Sequence, residues 1–165
     1  MDPKYRKEIE QLYIQMFDML FEYARSFLPN DALAEEAVQD TFQIACQKPQ
    51  AVCESANPKG WMVNALKNVV SNTLRSRATA NRILSEYVAA GLERLSENDA
   101  YAGIELFYGQ IAESEEFKLI KELAVDGRSY LEMAQSRRIS VQTCRKRVQR
   151  AKDVLRKKYE KDVTN

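Results

Sequence analysis

Histidine is absent from all 165 residues. Its absence removes His-based catalytic triads, most zinc sites and the usual protonation switch near neutrality. Glycine, at 5, and proline, at 4, are scarce. Tight turns are therefore few, which disfavours an all-β sandwich or barrel. The three cysteines, Cys46, Cys53 and Cys144, form no C-x-x-C pair. An odd number without ligand spacing points to free thiols in a reducing compartment, packed as small apolar side chains. Long apolar runs are missing too. The most hydrophobic stretch, Tyr13 to Phe27, is broken by Asp18, Glu22 and Arg25, so no transmembrane span is expected. No basic-then-apolar leader opens the chain. The expectation is a cytoplasmic protein without membrane insertion, of one domain or two small ones.

What the chain does have is charge, strongly segregated. Lysine and arginine number 25 against 24 acids, a net of +1. Residues 8–54 hold 2 bases and 9 acids, and residues 83–127 hold 3 bases and 10 acids. Residues 59–82 hold Lys59, Lys67, Arg75, Arg77 and Arg82 and no acid. Residues 128–165 hold 12 bases and 4 acids. Two basic blocks alternating with two acidic ones suggest two polyanion contacts on one chain.

Apolar spacing reads as helices throughout. Ile9, Leu12, Tyr13, Met16, Leu20, Tyr23, Ala24 and Phe27 mark the first, which Pro29-Asn30-Asp31 ends. Ala34, Ala37, Val38, Phe42 and Ala45 mark the second, with Glu35, Glu36, Gln39, Asp40 and Gln43 on its other face. A loop, Lys48 to Asn57, leads to Asn57-Pro58, an N-cap followed by proline in the first turn of a third helix. That helix sets Trp61, Met62, Ala65, Leu66, Val69 and Val70 on one face. Asn64, Lys67, Asn68, Ser71, Asn72 and Arg75 share the other. Amides and cations without a carboxylate suit base edges and phosphates. Trp61, on the apolar stripe, is expected in the core rather than against a base.

Residues 78–112 are weakly patterned, and 81–112 are expected to be an acidic linker with one short helix near Arg82 to Leu95. Beyond it, Phe117, Ile120, Leu123 and Ala124 mark a helix, and Asp126-Gly127-Arg128 a turn. Ser129 with Glu132 forms a capping-box signature for a short helix to about Arg137. Ile139-Ser140 turns into a long basic helix from Val141 to about Lys161. A short capped helix, a tight turn and a basic helix make a helix-turn-helix pattern. The expected fold is all-α: an N-terminal helical bundle and a C-terminal helix-turn-helix joined by an acidic linker. The expected boundaries are 1–80, 81–112 and 113–165.

Two stretches resemble bacterial RNA polymerase sigma factors of the extracytoplasmic-function (group IV) type. In the first, Ala34-Glu35-Glu36-Ala37-Val38-Gln39-Asp40-Thr41-Phe42 resembles the core-binding helix, and Asn57-Pro58-Lys59-Gly60-Trp61-Met62 through Asn68 to Arg75 resembles the promoter-melting helix. In the second, Ser129-Tyr130-Leu131-Glu132-Met133-Ala134, then Ile139-Ser140-Val141-Gln142-Thr143 and Arg150-Ala151-Lys152, resembles the C-terminal helix-turn-helix. The resemblance implies sigma region 2, a linker and sigma region 4. It implies that Glu35, Glu36, Gln39 and Asp40 bind the β′ clamp helices of core RNA polymerase, whose β flap is a further contact. It implies that Asn64, Lys67, Asn68, Ser71, Asn72 and Arg75 meet the −10 element of promoter DNA. It implies that Gln142, Thr143, Arg145, Lys146, Gln149 and Arg150 read the −35 element. Members of the family are commonly held inactive by an anti-sigma factor.

One departure stands out. Arg137 and Arg138 occupy the places where the family usually has an apolar residue and a glycine. A non-glycine residue in the left-handed conformation costs about 1 kcal/mol or more. Either the turn differs, or the arginines reach a phosphate that offsets the cost. Ser136 and Arg137 are also expected to weaken the packing of the short helix. Cys144 takes the place of a β-branched residue on the inner stripe.

The alternative function is a stand-alone dimeric helix-turn-helix regulator, which would use the last helix on two half-sites. A purely protein-binding helical adaptor is a further rival. An enzyme is disfavoured. Asp31, Glu35, Glu36 and Asp40 run along one helix with no histidine or glycine-rich phosphate loop beside them, so no catalytic residue, metal ligand or cofactor is expected.

Overall fold

In the computed structural model, which describes residues 1–93, 109 and 113–163, the elements are α-helices in the order α1 (Pro3–Arg25), α2 (Asp31–Gln47), α3 (Pro49–Cys53), α4 (Pro58–Glu93), α5 (Glu115–Ala124), α6 (Tyr130–Arg137) and α7 (Val141–Val163). The protein is all-α, as the spacing of apolar residues requires. The chain divides into two compact units, Met1–Arg75 and Ser76–Asn165.

The first unit is organised around α1 and α2. Asp2 caps α1 by accepting from the Lys4 N–H, and Asn30 caps α2 by accepting from the Leu33 N–H. Ile9, Leu12, Met16, Leu20 and Ala24 of α1 pack into one core with Leu33, Ala34, Ala37, Val38, Phe42 and Ala45 of α2. Val52 of α3 and Met62, Leu66, Val69 and Val70 of α4 complete it. The loop expected over Lys48 to Asn57 contains a short helix instead. Pro49 supplies a preset first-turn φ at its start, and Val52 anchors it in the core.

Asn57 starts α4 as anticipated, its Oδ1 accepting from the Gly60 N–H at 2.9 Å. A Cβ at Gly60 would sit 2.6 Å from the Asn57 side-chain nitrogen, so a larger residue there would displace the capping side chain. The helix then runs on to Glu93, so the boundary drawn at residue 80 falls inside it. The short separate helix expected near Arg82 is the second half of α4, as far as Glu93. The rest of the acidic stretch lies outside the described residues, apart from Gly109. The continuation has an apolar cause. Ala80, Ile83 and Leu84 recur at helical spacing and are buried against α5 and α7 in the second core.

The second core combines those residues with Phe117, Leu119, Ile120 and Leu123 of α5, Met133 and Ala134 of α6, and Cys144, Val148, Ala151 and Leu155 of α7. Lys152 of α7 is buried, and its Nζ donates to the Ser76 carbonyl at 3.2 Å and to the Ser76 hydroxyl at 2.9 Å. Gly127 takes φ 70° in the turn between α5 and α6, a conformation that glycine adopts without steric cost. Among the described residues no helix is long and apolar enough to cross a membrane.

Candidate nucleic-acid and protein-binding surfaces

α2 is packed on several sides, which narrows its acidic face. Glu35 and Gln39 are exposed and joined, the Gln39 amide donating to Glu35 Oε1 at 3.1 Å. Asp40 is half-buried. Glu36, expected on the outer face, is buried at 8% exposure. The correction follows from helix geometry. Glu36 lies one turn from Leu33, flanked by Ala37, on the side covered by the rest of the unit. The outer edge of α2 is therefore Glu35, Gln39 and Gln43. Phe42 continues it inward, and its ring meets Tyr13 of α1 edge-on at 4.9 Å between centroids. Tyr13 in turn begins a column with Phe17 and Phe21 along α1.

The face of α4 is delivered as a unit. Asn64, Lys67, Asn68, Ser71, Asn72 and Arg75 are all exposed. Met62, Leu66, Val69 and Val70 on the opposite face are buried. Within the face Arg75 reaches Asn72 Oδ1 at 3.4 Å. Trp61 is half-buried and packs against the first core. No carboxylate occurs between Pro58 and Ser85. The surface therefore presents amide donors, amide acceptors and cations to a polyanion without a repelling charge on that stretch of the helix.

In the second unit the capping box forms in full. Ser129 Oγ accepts from the Glu132 N–H at 3.2 Å, and Glu132 Oε2 accepts from the Ser129 N–H at 2.8 Å. α6 is followed by a three-residue turn, Arg138 to Ser140, and Ser140 caps α7 by accepting from the Thr143 N–H at 3.1 Å. Gln142, Thr143, Lys146, Gln149 and Arg150 are exposed near the start of α7. Two of them are already engaged: the Thr143 hydroxyl lies 2.8 Å from the Ser140 hydroxyl, and the Gln149 amide donates to Asp153 at 3.3 Å. Arg145 differs from its neighbours. It is half-buried, its guanidinium carbon 5.1 Å from the centre of the Tyr130 ring. A cation over an aromatic face is held in one orientation. Lys152 is not part of the exposed cationic surface, because it is buried with its Nζ on Ser76; burial also pushes its pKa down.

The turn itself resolves the question raised by Arg137 and Arg138. It has the left-handed geometry that favours glycine, with Arg138 at φ 53° and ψ 42°. The Arg138 N–H donates to the Gln135 carbonyl at 3.1 Å and the Ile139 N–H to the Ala134 carbonyl at 3.1 Å. This is the paired Schellman closure of a helix C-terminus. Arg137 does not weaken the packing of α6, as anticipated from sequence; it turns inward. Its guanidinium donates to Glu122 at 2.7 and 3.0 Å and to Glu115 at 3.1 Å. Arg128 donates to the same Glu122 at 2.9 Å. The Arg137 hydrogen bonds hold the Glu122 carboxyl below its usual range, against the opposing effect of burial. Nothing in the local sequence marks this cluster, because Glu122 and Arg137 belong to different helices. The signal available was an arginine where an apolar residue was expected, following an acidic helix.

Of the three cysteines, Cys144 is buried, Cys53 half-buried and Cys46 exposed, so only one behaves fully as a core residue. Burial and then a hydrogen bond with Glu8 push the Cys53 thiol up to about 11. Among the described residues no group of three or more Cys, Asp or Glu side chains is placed to hold a metal ion.

Residues 12–79 match the family model of sigma-70 region 2. The match begins at Leu12 of α1, contains all of α2 and α3, and ends at Thr79 of α4. It therefore carries both the α2 edge and the amide-cation face of α4. No curated protein and no solved structure shows significant similarity to the chain. The family match supports transcription initiation of the sigma-factor type, with core RNA polymerase and promoter DNA as the implied partners.

Proposed function

We propose that the chain is an extracytoplasmic-function-type sigma factor acting in the cytoplasm, which binds core RNA polymerase and directs it to promoters without itself making or breaking bonds. The observation that carries this reading is the α4 face. Six polar or cationic side chains stand exposed in one row on α4, within the segment matched to sigma-70 region 2, and the stretch of helix from Pro58 to Ser85 that carries them has no carboxylate. In this reading Glu35, Gln39 and Asp40 meet the β′ clamp helices, and Glu36 supports them from beneath. Asn64, Lys67, Asn68, Ser71, Asn72 and Arg75 hold the opened −10 element. The second unit contacts the β flap, and α7 reads the −35 element through Gln142, Lys146, Gln149 and the Tyr130-stacked Arg145, with Arg150 on phosphate.

Phosphate contacts position such a chain and base contacts select. Unstacking bases costs a few kcal/mol, which a chain this small meets only with the polymerase. Specific binding is therefore expected of the holoenzyme and not of the free chain. The test is reconstitution with core RNA polymerase and run-off transcription from genomic DNA. Defined start sites that core polymerase alone lacks are expected. Absence of association, or association without new start sites, rejects the reading. Asp40→Ala should weaken association and leave start-site choice unchanged. Gln142→Ala with Arg145→Ala should change upstream-element preference. A dimeric regulator acting alone leaves the α2 edge and the α4 face without a role, and predicts tight binding of a palindromic duplex by the isolated chain.

A further inference from the structure

The two arginines of the turn have opposite surroundings. Arg137 is drawn inward onto Glu122 and Glu115. Arg138 is exposed and has no hydrogen bond or ion pair through its side chain among the described residues. It is also the one non-glycine residue with positive φ among them. Glycine would hold the same turn without the steric cost, so this residue strains the backbone and its side chain returns no hydrogen bond or ion pair among the described residues. Such a residue persists where its surroundings over-determine the backbone, and strain of this kind gathers at functional positions. Here the Schellman bonds and the Arg137 ion pairs supply the over-determination.

We propose that Arg138 is a phosphate-contacting residue of the DNA interface of α7, held in place by the Arg137–Glu122 pair. The proposal rests on the reading of α7 as the promoter-facing helix. Arg138 immediately precedes the Ile139-Ser140 start of α7, four residues before the exposed Gln142. A guanidinium presents a planar fork of donors that matches two phosphate oxygens. A cation at this position adds grip without sequence preference, which is the role of backbone contacts in duplex recognition. The paired arginines thus divide the work, one closing the turn and one facing the duplex.

The experiment uses the full chain assembled with core RNA polymerase, and a promoter fragment recovered from the wild-type run-off reaction. Affinity is measured across a salt series. Arg138→Gly should make the slope of log K against log salt shallower by about 0.9, the value of one phosphate contact. The advantage of wild type over the variant then shrinks about threefold between roughly 50 and 200 mM salt. Thermal unfolding should show Arg138→Gly at least as stable as wild type, which separates lost contact from lost folding. Arg138→Gln should give the same slope change and Arg138→Lys should retain most of the wild-type slope. A wild-type slope in Arg138→Gly overturns the proposal, as does a change in Arg138→Gly that Arg138→Gln does not share. If wild-type holoenzyme selects start sites and the slopes do not move, only this proposal falls. If wild-type holoenzyme selects none, the reading of α7 falls and this proposal with it.

Discussion

The two units hold themselves together by different means. In the first, the core of α1, α2, α3 and the start of α4 is almost wholly apolar. The ion pairs Arg6–Glu10, Arg25–Glu22 and Arg25–Asp31 on it have side chains more than half exposed. Such pairs contribute about 0–1 kcal/mol each. In the second, Arg137 and Glu122 are only 15% and 18% exposed and are linked to Arg128 and Glu115. In the second unit a linked set of arginines and glutamates is part of the internal structure. The difference separates two uses of the same residue types. The first unit leaves most of its acids exposed, with Glu36 buried. The second consumes acids internally, and the charges left exposed near the start of α7 are positive.

The largest effects should come from the apolar cores, where the units are alike. Leu20→Ala in the first and Leu155→Ala in the second each remove a side chain at most 1% exposed. Each should destabilise by about 2–5 kcal/mol. Trp61, the sole tryptophan, belongs to the first unit and reports on it alone. In urea unfolding, Leu20→Ala should move the Trp61 fluorescence transition more than Leu155→Ala does. Equal displacement of that transition by both variants breaks the comparison.

Next in size is the charge cluster. Arg137→Ala leaves Glu122 half-desolvated with Arg128 as its remaining partner. A loss of about 1–3 kcal/mol follows from the cost of an under-satisfied buried acceptor. No exposed pair of the first unit should cost as much; Arg6→Ala is expected within about 0.5 kcal/mol of wild type. The same cluster sets a pH dependence. Glu122 has a folded-state pKa below its ordinary 4.5, chiefly through its hydrogen bonds with Arg137. Glu116 is lowered likewise by the Ser114 hydroxyl. In both cases the unfolded chain takes up protons first on acidification. Their contribution is complete above about pH 4.5 and is lost as pH falls from there through the lowered values. Helical circular dichroism should therefore begin to fall on acidification before Trp61 fluorescence changes. Glu122→Gln should lower stability at neutral pH and flatten this acid dependence. A variant with wild-type acid sensitivity assigns that sensitivity to other carboxylates.

How much of this was legible in the sequence follows from range. Local chemistry was readable. Asn57 and Ser129 mark helix starts because each side chain caps within three residues of its own backbone. The six residues on the α4 face were readable because one helix period places them together. Four features were not. Glu36 is buried because α2 is covered on more than one side, which depends on neighbours that the periodicity of α2 does not name. Lys152 is buried with its Nζ on Ser76, far away in the chain. The second half of α4 has an apolar stripe, but one too short to outweigh its polar neighbours until α5 and α7 supply the rest of the core. Arg137 was misread as a packing defect because its partners lie 15 and 22 residues earlier. In each case the missing information was a contact between elements.

The smallest effect tests whether the two units differ at their helix starts as well as in their cores. Asn30 caps α2 by accepting from the Leu33 N–H. Ser129 caps α6 with a reciprocal pair, and it is buried at 1% exposure. Replacing either by alanine should cost about 1 kcal/mol, within the range of 0.5–2 kcal/mol for lost caps. Ser129→Ala belongs toward the upper end. Alanine leaves the Glu132 N–H without its acceptor in a place water reaches poorly, and it loosens a helix of only eight residues that carries the turn to α7. Asn30→Ala belongs toward the lower end, since Asn30 is exposed and water replaces its oxygen. Thermal unfolding of the two variants ranks them directly. If Asn30→Ala costs as much as Ser129→Ala, the second unit does not depend more heavily on its polar contacts at this site, and the contrast between the units is confined to the Glu122 cluster.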